Sequence, residues 1–199
     1  ALAELAERAG IPAGVFNVVT GDAPMIAATL CASDKVKALS FTGSTRVGKI
    51  LLEQCADTVK KCSMELGGNA PFIVLPDMDI HEAANAAIDA KFQTSGQDCL
   101  AANRIFVPRK YHDEFVAAFA AGMQKLRVGN GMQKGVDLGP LISRQAVEKA
   151  QKLVDDALEK GATLLAGKSP QSLNSNFFHP VLLTQVTPNM AVYREENFC

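Results

Sequence analysis

The sequence predicts an α/β fold. Three observations carry that expectation. Short β-branched or aromatic runs alternate along the chain with longer runs of helical period, and strands separated by helices favour a mainly parallel sheet. Several helical runs open on a capping residue and close on glycine, at Asp79, Ser143 and Gly161. The chain has 199 residues, 48% hydrophobic and 21% charged, which suits a folded chain with a real core rather than a disordered or fibrous one.

The elements follow in order. Leu2, Leu5, Ala6 and Ala9 keep a helical period that Gly10 and Pro12 stop. Residues 15–19 read as a short strand and 25–30 as a helix. Residues 36–41 form a strand, then Gly43 and Ser44 open a helix to about residue 56. Residues 59–66 are extended and end on Gly67-Gly68. A buried strand at 72–75 lies between Pro71 and Pro76. Asp79, with Glu82 three residues on, starts a helix that runs to Phe92. Residues 104–107 are a strand. Residues 111–126 are a helix with Phe115, Phe119 and Met123 on one face. Ser143 caps a helix through Lys160, and 163–166 and 177–183 are strands. Gly67-Gly68 is the best hinge. Residues 1–66 then read as the second half of a doubly wound nucleotide-binding domain. Residues 67–199 read as a second α/β domain. The chain opens inside a helix and stops without a terminator, as a piece of a longer polypeptide would.

Charge and cysteine content exclude several functions. Lys plus Arg is 20 and Asp plus Glu is 21, so the basic excess that grips a phosphate backbone is absent and no nucleic-acid partner is expected. Apolar runs fall far short of the roughly 20 residues that a membrane helix needs, so no membrane association is expected either. The five cysteines are odd in number and form no C-x-x-C pair. They suggest neither a disulfide framework nor a zinc site, and they fit a reducing compartment: the cytoplasm, with the mitochondrial matrix open. His81, His112 and His179 are scattered without a second ligand at helical spacing, so no metal is expected.

Four segments could carry chemistry. Phe41-Thr42-Gly43-Ser44-Thr45-Arg46-Val47-Gly48-Lys49 runs a strand through a glycine turn into a helix, whose free N–H groups suit a phosphate. It nearly spells a P-loop. However, Ile50 stands where the magnesium-binding hydroxyl belongs, and Pro76 interrupts the run before Asp77. The fingerprint G-x-G-x-x-G is absent as well, and a plain structural turn reads equally well. Met64-Glu65-Leu66-Gly67-Gly68-Asn69 puts a carboxylate at a strand end, where it can enter a cleft or simply face solvent. Gly96-Gln97-Asp98-Cys99 places a thiol after a flexible turn, and a helix N-terminus there would stabilise the thiolate. An inert buried cysteine is the commoner fate, assigned to Cys31, Cys55 and Cys62. Glu195-Glu196-Asn197-Phe198 is, by itself, an acidic patch with an aromatic.

Taken together, and in this order, the four segments resemble the aldehyde dehydrogenase superfamily over essentially the whole chain. Phe41-Thr42-Gly43-Ser44 is similar to its cofactor loop, Glu65 through Asn69 to its general-base motif, and Gly96 through Cys99 to its nucleophile motif. Asn103-Arg104, Gly139-Pro140-Leu141 and Glu195-Glu196-x-Phe198 resemble later motifs. Within the family, Ser63 through Gly68, Ala70 through Val74, Gly129-Asn130-Gly131 and Asn176-Phe177-Phe178 resemble succinate-semialdehyde dehydrogenases.

The resemblance implies oxidation of an aldehyde, such as succinate semialdehyde, to the acid with NAD or NADP. Cys99 would attack the carbonyl to give a thiohemiacetal, and Glu65 would activate the water that hydrolyses the thioester. The Cys99 N–H would be one oxyanion donor. Gly43 and Ser44 would hold the cofactor pyrophosphate, and Pro24, Val47 and Gly48 would flank the adenine side. Leu66, Glu196 and Phe198 would meet the nicotinamide end, and the full-length enzyme would be a homo-oligomer.

Some family features lie elsewhere or differ. The asparagine that supplies the second oxyanion donor, and a lysine for the adenosine ribose, belong upstream of this chain. Cys199 stands where the family has glycine before proline. Gln93 stands where close relatives often place an arginine for the substrate carboxylate, which weakens the succinate semialdehyde reading. Ala101 removes the C-x-C redox pair of some relatives. The alternatives are a non-catalytic fragment of such an enzyme, or a P-loop-like nucleotide-binding protein.

Overall fold

The computed structural model describes residues 1–168 and 175–199. The chain divides into two compact units, Ala1–Leu66 and Gly67–Cys199.

The first unit opens with α1 (Leu2–Arg8), which buries none of its residues. Helix α2 (Ala23–Ala32) is capped by Asp22, whose carboxylate accepts from the Met25 N–H, and Pro24 stands in its first turn. Strand β1 (Ala38–Gly43) leads into α3 (Thr45–Cys55), and β2 (Lys61–Leu66) returns parallel to β1 in the register Ala38 to Lys61 through Gly43 to Leu66. Alternation sorts the two strands cleanly. Leu39, Phe41, Cys62 and Met64 pack with Cys31, Leu51 and Cys55 of the helices, while Ser40, Thr42, Ser63 and Glu65 face away, exposed. A parallel return needs a helical crossover, which α3 supplies.

The strand expected at 15–19 does not form. Val15, Val18 and Val19 are exposed, and no strand among the described residues pairs with them. Backbone N–H and C=O groups make a strand only against a partner, so local β-propensity had nothing to act on. Strand β2 starts at Lys61 because Val59 sits at φ 48°, in the left-handed region.

The second unit builds a larger core. Strand β3 (Pro71–Ile73) pairs in parallel with β4 (Arg104–Phe106) across helix α4 (Ile80–Phe92), which Asp79 caps through the Glu82 N–H. Helix α5 (His112–Met123) lays Phe115, Phe119 and Met123 against Ala83, Ala84, Ala87 and Ile88 of α4. Each buried phenylalanine contributes about 1.5–3 kcal/mol by leaving water, and Phe115 and Phe119 stack with centroids 5.9 Å apart. Helix α6 (Arg144–Glu159) is capped by Ser143, which accepts from Ala146. Gly161 follows at φ 95°, a conformation that glycine adopts without strain.

Strands β5 (Thr163–Ala166) and β6 (Leu182–Thr184) pair antiparallel, and a short helix α7 (Ala191–Arg194) leads to the end. Among the described residues, two of the three strand pairs are therefore parallel, as a mainly parallel sheet requires, and β5–β6 is the antiparallel exception. The strand expected at 177–183 is reduced to its last residues. Pro180 lies inside the expected run, cannot donate to a ladder and restricts the residue before it.

Candidate active site

In the first unit, the candidate cofactor loop sits where β1 ends and α3 begins. Ser44 is the N-cap, with φ −68° and ψ 144°, and its Oγ accepts from the Val47 N–H at 3.3 Å. The first-turn N–H groups of a helix have no intrahelical partner, so this end presents donors and partial positive charge. Two close approaches shape it. A Cβ at Gly48 would lie 2.6 Å from Leu66 Cδ2, so a larger residue would force the Leu66 side chain to shift. A Cβ at Gly43 would lie 2.6 Å from the Phe41 ring. Gly43 pairs with Leu66 and Thr42 with Glu65, so Gly43, Ser44, Val47, Gly48, Glu65 and Leu66 gather at one end of the strand pair. Glu65 is exposed at that end, and Pro24 is exposed in the first turn of α2.

In the second unit, Cys99 does not start a helix. Asp98 organises a tight turn: its carbonyl accepts from Ala101 at 3.1 Å, and its Oδ1 accepts from the Leu100 N–H at 2.9 Å and from the Cys99 thiol at 3.6 Å. Beyond the turn, Ala102 donates to Ala90 O, and Asn103 donates to Ala70 O. The backbone is committed to extended pairing on the way into β4, which leaves no helix to stabilise a thiolate and corrects that expectation. The thiol is exposed.

The turn is held under backbone strain. Thr94 and Ser95, at φ 51° and 57°, are left-handed non-glycine residues, and Gly96 follows at φ 73°. Three hydrogen bonds strap this stretch to residues 139–142. Ser95 Oγ accepts from Gly139 N at 2.9 Å, Gln97 Oε1 accepts from Ile142 N at 2.8 Å, and Gln97 Nε2 donates to Pro140 O at 3.3 Å.

The segment that ends the chain is tied to the same region. Lys91 Nζ donates to Asn103 Oδ1 and to Cys199 O, both at 2.7 Å. Burial pulls the Lys91 ammonium below the ordinary lysine range, opposed by Cys199. Burial likewise pushes the Cys199 thiol up, against Lys91 and Lys149. A Cβ at Gly96 would meet Cys199 O at 2.5 Å, so only glycine fits there. The Glu196 carboxylate lies against Gly67, on ground that a Cβ at Gly67 would occupy. Asn69 Nδ2 donates to Val192 O and Tyr193 O, and Asn197 Nδ2 donates to Val192 O, which pins the glycine loop to the stretch carrying Glu196. Phe198 remains exposed.

A turn bearing an exposed thiol, a carboxylate beside a glycine loop and a phosphate-suited helix start are thus present. The family model of the aldehyde dehydrogenases matches residues 1–199. The chain belongs to the aldehyde dehydrogenase family. It is 67% identical over 198 residues to a non-phosphorylating aspartate-semialdehyde dehydrogenase of Halomonas elongata, covering 100% of this chain and 40% of that protein. It is 48% identical to an NADP(+) succinate-semialdehyde dehydrogenase of Escherichia coli, covering 100% of this chain and 41% of the relative. The crystal structure of a succinate-semialdehyde dehydrogenase from Burkholderia pseudomallei superposes with a TM-score of 0.95 at 48% identity, over 99% of this chain and 41% of that one. The chain therefore spans about 40% of the length of these aldehyde dehydrogenases.

Sequence reasoning missed the supporting residues. Ser95 and Gln97 were read only as flexible turn or motif, and Lys91 only as part of a helix face. Their partners lie 12 to 108 positions away, and no local pattern announces such bonds. Asn69 and Asn197 stood inside quoted motifs, and their polarity beside glycine and phenylalanine was the available signal. Among the described residues, no group of three or more His, Cys, Asp or Glu could hold a metal ion, and no helix is long and apolar enough to cross a membrane.

Proposed function

We propose that the whole protein oxidises a semialdehyde to the carboxylic acid with NAD(P)+, with Cys99 as nucleophile and Glu65 as general base. The observation that carries this reading is a family match over all 199 residues together with an exposed Cys99 thiol on a strapped, strained turn. Residues 1–66 are the second half of the cofactor domain and 67–199 the catalytic domain. Two features support dinucleotide binding: the Ser44-capped start of α3, and the bare backbone at Gly48, where a Cβ would strike Leu66. Gly43, Ser44, Val47, Gly48 and Pro24 would hold the pyrophosphate and adenine side, with Leu66, Glu196 and Phe198 toward the nicotinamide. When bound, the dinucleotide supplies the hydride acceptor.

The chain's own residues do the rest. The Cys99 sulfur adds to the aldehyde carbon, and the Cys99 N–H donates to the oxygen as it gains charge. Glu65 takes a proton from the water that attacks the resulting thioester. Gln93 can donate hydrogen bonds to a substrate but brings no charge, which favours a semialdehyde whose far end is not held by an arginine at this position. The names of relatives, which include aspartate and succinate semialdehyde, support the class. One relative is named for NADP(+), which makes that form the first to test. The whole protein is a homo-oligomer of the cytoplasm or mitochondrial matrix in this reading.

The test uses the whole protein. Glu65→Gln keeps size and one accepting oxygen but takes no proton at neutral pH. General-base catalysis contributes about 10²–10⁴-fold, so steady turnover falls by that order. If the base acts in deacylation, reduced cofactor appears as a burst near one equivalent per site, and an acyl adduct accumulates on Cys99 by mass. Cys99→Ala gives neither. Normal turnover in Glu65→Gln would refute the assignment of the base, and turnover in Cys99→Ala would refute the nucleophile.

A further inference from the structure

The first unit contains three thiols that the proposed chemistry does not use. Cys31 lies in the last turn of α2, Cys55 is the last residue of α3, and Cys62 is the second residue of β2. Cys55 Sγ stands 3.5 Å from Cys31 Sγ, and both residues are buried, with 2% and 1% exposure. Cys62 is half-buried, packs against the same cluster and donates its thiol to Lys60 O at 3.6 Å. We propose that Cys31, Cys55 and Cys62 form a thiol–disulfide exchange site that closes a Cys31–Cys55 disulfide, with Cys62 as the thiol at which a small organic disulfide enters.

The surroundings hold these positions in place. Thr58 Oγ1 donates to Cys31 O at 3.4 Å and to Cys55 O at 3.3 Å, which stitches the two helix ends together. Lys60 Nζ donates to Ser33 O at 2.7 Å, just beyond α2. A disulfide needs the sulfurs at about 2.05 Å, so closing the pair requires a movement of about 1.5 Å, within reach of a rotation at Cβ. Burial pushes the Cys55 and Cys62 thiols up and Lys60 pulls them down, so at rest these two are held as thiols with a cation at hand when one ionises. The half-buried Cys62 is the member that a reagent reaches, and Cys55 is the member that touches both others.

The steps balance. The Cys62 thiolate attacks one sulfur of the reagent R–S–S–R, forms Cys62–S–S–R and releases one RS⁻. The Cys55 thiolate attacks the Cys62 sulfur and releases the second RS⁻. The Cys31 thiolate then attacks the Cys55 sulfur and returns Cys62 as a thiolate. Two protein thiols are oxidised, one reagent disulfide is reduced to two thiols, and the protons lost by Cys31 and Cys55 end on the released thiolates. The closed loop carries β1, the Gly43–Ser44 turn and α3, so oxidation fastens the far end of the helix whose start is the candidate cofactor loop.

Trypsin separates every participant. Cys31, Cys55, Cys62 and Cys99 fall on different peptides, 9–35, 50–60, 62–91 and 92–104. The full chain, folded, is treated with 2-hydroxyethyl disulfide, alkylated and digested without reduction. The expected product joins 9–35 to 50–60 at about 2 Da below their summed mass, and dithiothreitol reverses it. Cys62→Ser should slow its appearance at least about tenfold and leave the same end product. Recovery of 9–35 and 50–60 as free thiols, while 92–104 carries the reagent, would overturn the site. A final link between 50–60 and 62–91 would overturn Cys31 as the terminus, and an unchanged rate in Cys62→Ser would overturn the entry role. The measurement on the unaltered chain stands whether or not the variant folds.

Discussion

Replacing Gln97 by alanine tests whether the nucleophile turn is held by its straps. A left-handed residue with a side chain costs roughly 1–2 kcal/mol, so Thr94 and Ser95 together store about 2–4 kcal/mol. Three bonds to residues 139–142 oppose that cost, and each contributes about 0.5–1.5 kcal/mol net, a total of the same size. Gln97→Ala removes two of the three. The bond to Pro140 is long at 3.3 Å, so the expected loss is about 1–2 kcal/mol. Hydrogen exchange at the Ile142 amide, whose partner disappears, should quicken about 5–30-fold. The thermal midpoint of the second unit should drop by about 3–6 °C. Thr94→Gly in the same background lowers the strain and should restore about 1 kcal/mol. Unchanged exchange at Ile142, or a further loss on adding Thr94→Gly, would refute the balance of strain against straps.

Two further outcomes follow from the second unit. Gly67→Ala puts a methyl group where the Glu196 carboxylate lies; that side chain must move, so cofactor KM in the whole protein should rise more than kcat falls, read by steady-state kinetics. The Asp156 carboxyl is held below the usual range by its bond from Lys160 and by the Ala191 N–H at 2.7 Å, which joins α6 to α7. A depressed folded-state value stabilises above the unfolded value near 3.9, and that contribution is lost as pH falls through the folded value. Melts of the parent and Asp156→Asn should therefore differ at pH 6, and the difference should shrink as pH falls below the unfolded value near 3.9. A constant difference would show that the carboxylate's charge is not what matters.

The helices were legible because their signals are local. Asp22, Ser44, Asp79 and Ser143 each accept from the residue three ahead, and each marks a start visible in sequence, although Asp22 was not read as one. Strands depend on partners that sequence does not display. Residues 15–19 have the composition of a strand and no neighbour, while 182–184 pair with β5 although Pro180 spoils the run before them. The candidate site divided the same way. Cys99, Glu65 and Ser44 stand in short motifs with a chemical reason for each residue. Ser95, Gln97, Lys91 and Asn69 act through bonds to residues far along the chain. No periodicity encodes those bonds.

The correction at Cys99 changes how its chemistry must work. A helix N-terminus would have stabilised the thiolate without help. The observed turn instead sets the Asp98 carboxylate as the acceptor of the thiol. Cys99 is exposed, and residues 96–103 carry no cationic side chain. The activating group must then come from outside the turn. In the proposed enzyme, Glu65 is the residue proposed as base, so one residue would deprotonate the thiol before attack and the water after it. The burst experiment separates these tasks. A full burst in Glu65→Gln confines Glu65 to deacylation and requires another base for Cys99, whereas a missing burst assigns both proton transfers to Glu65.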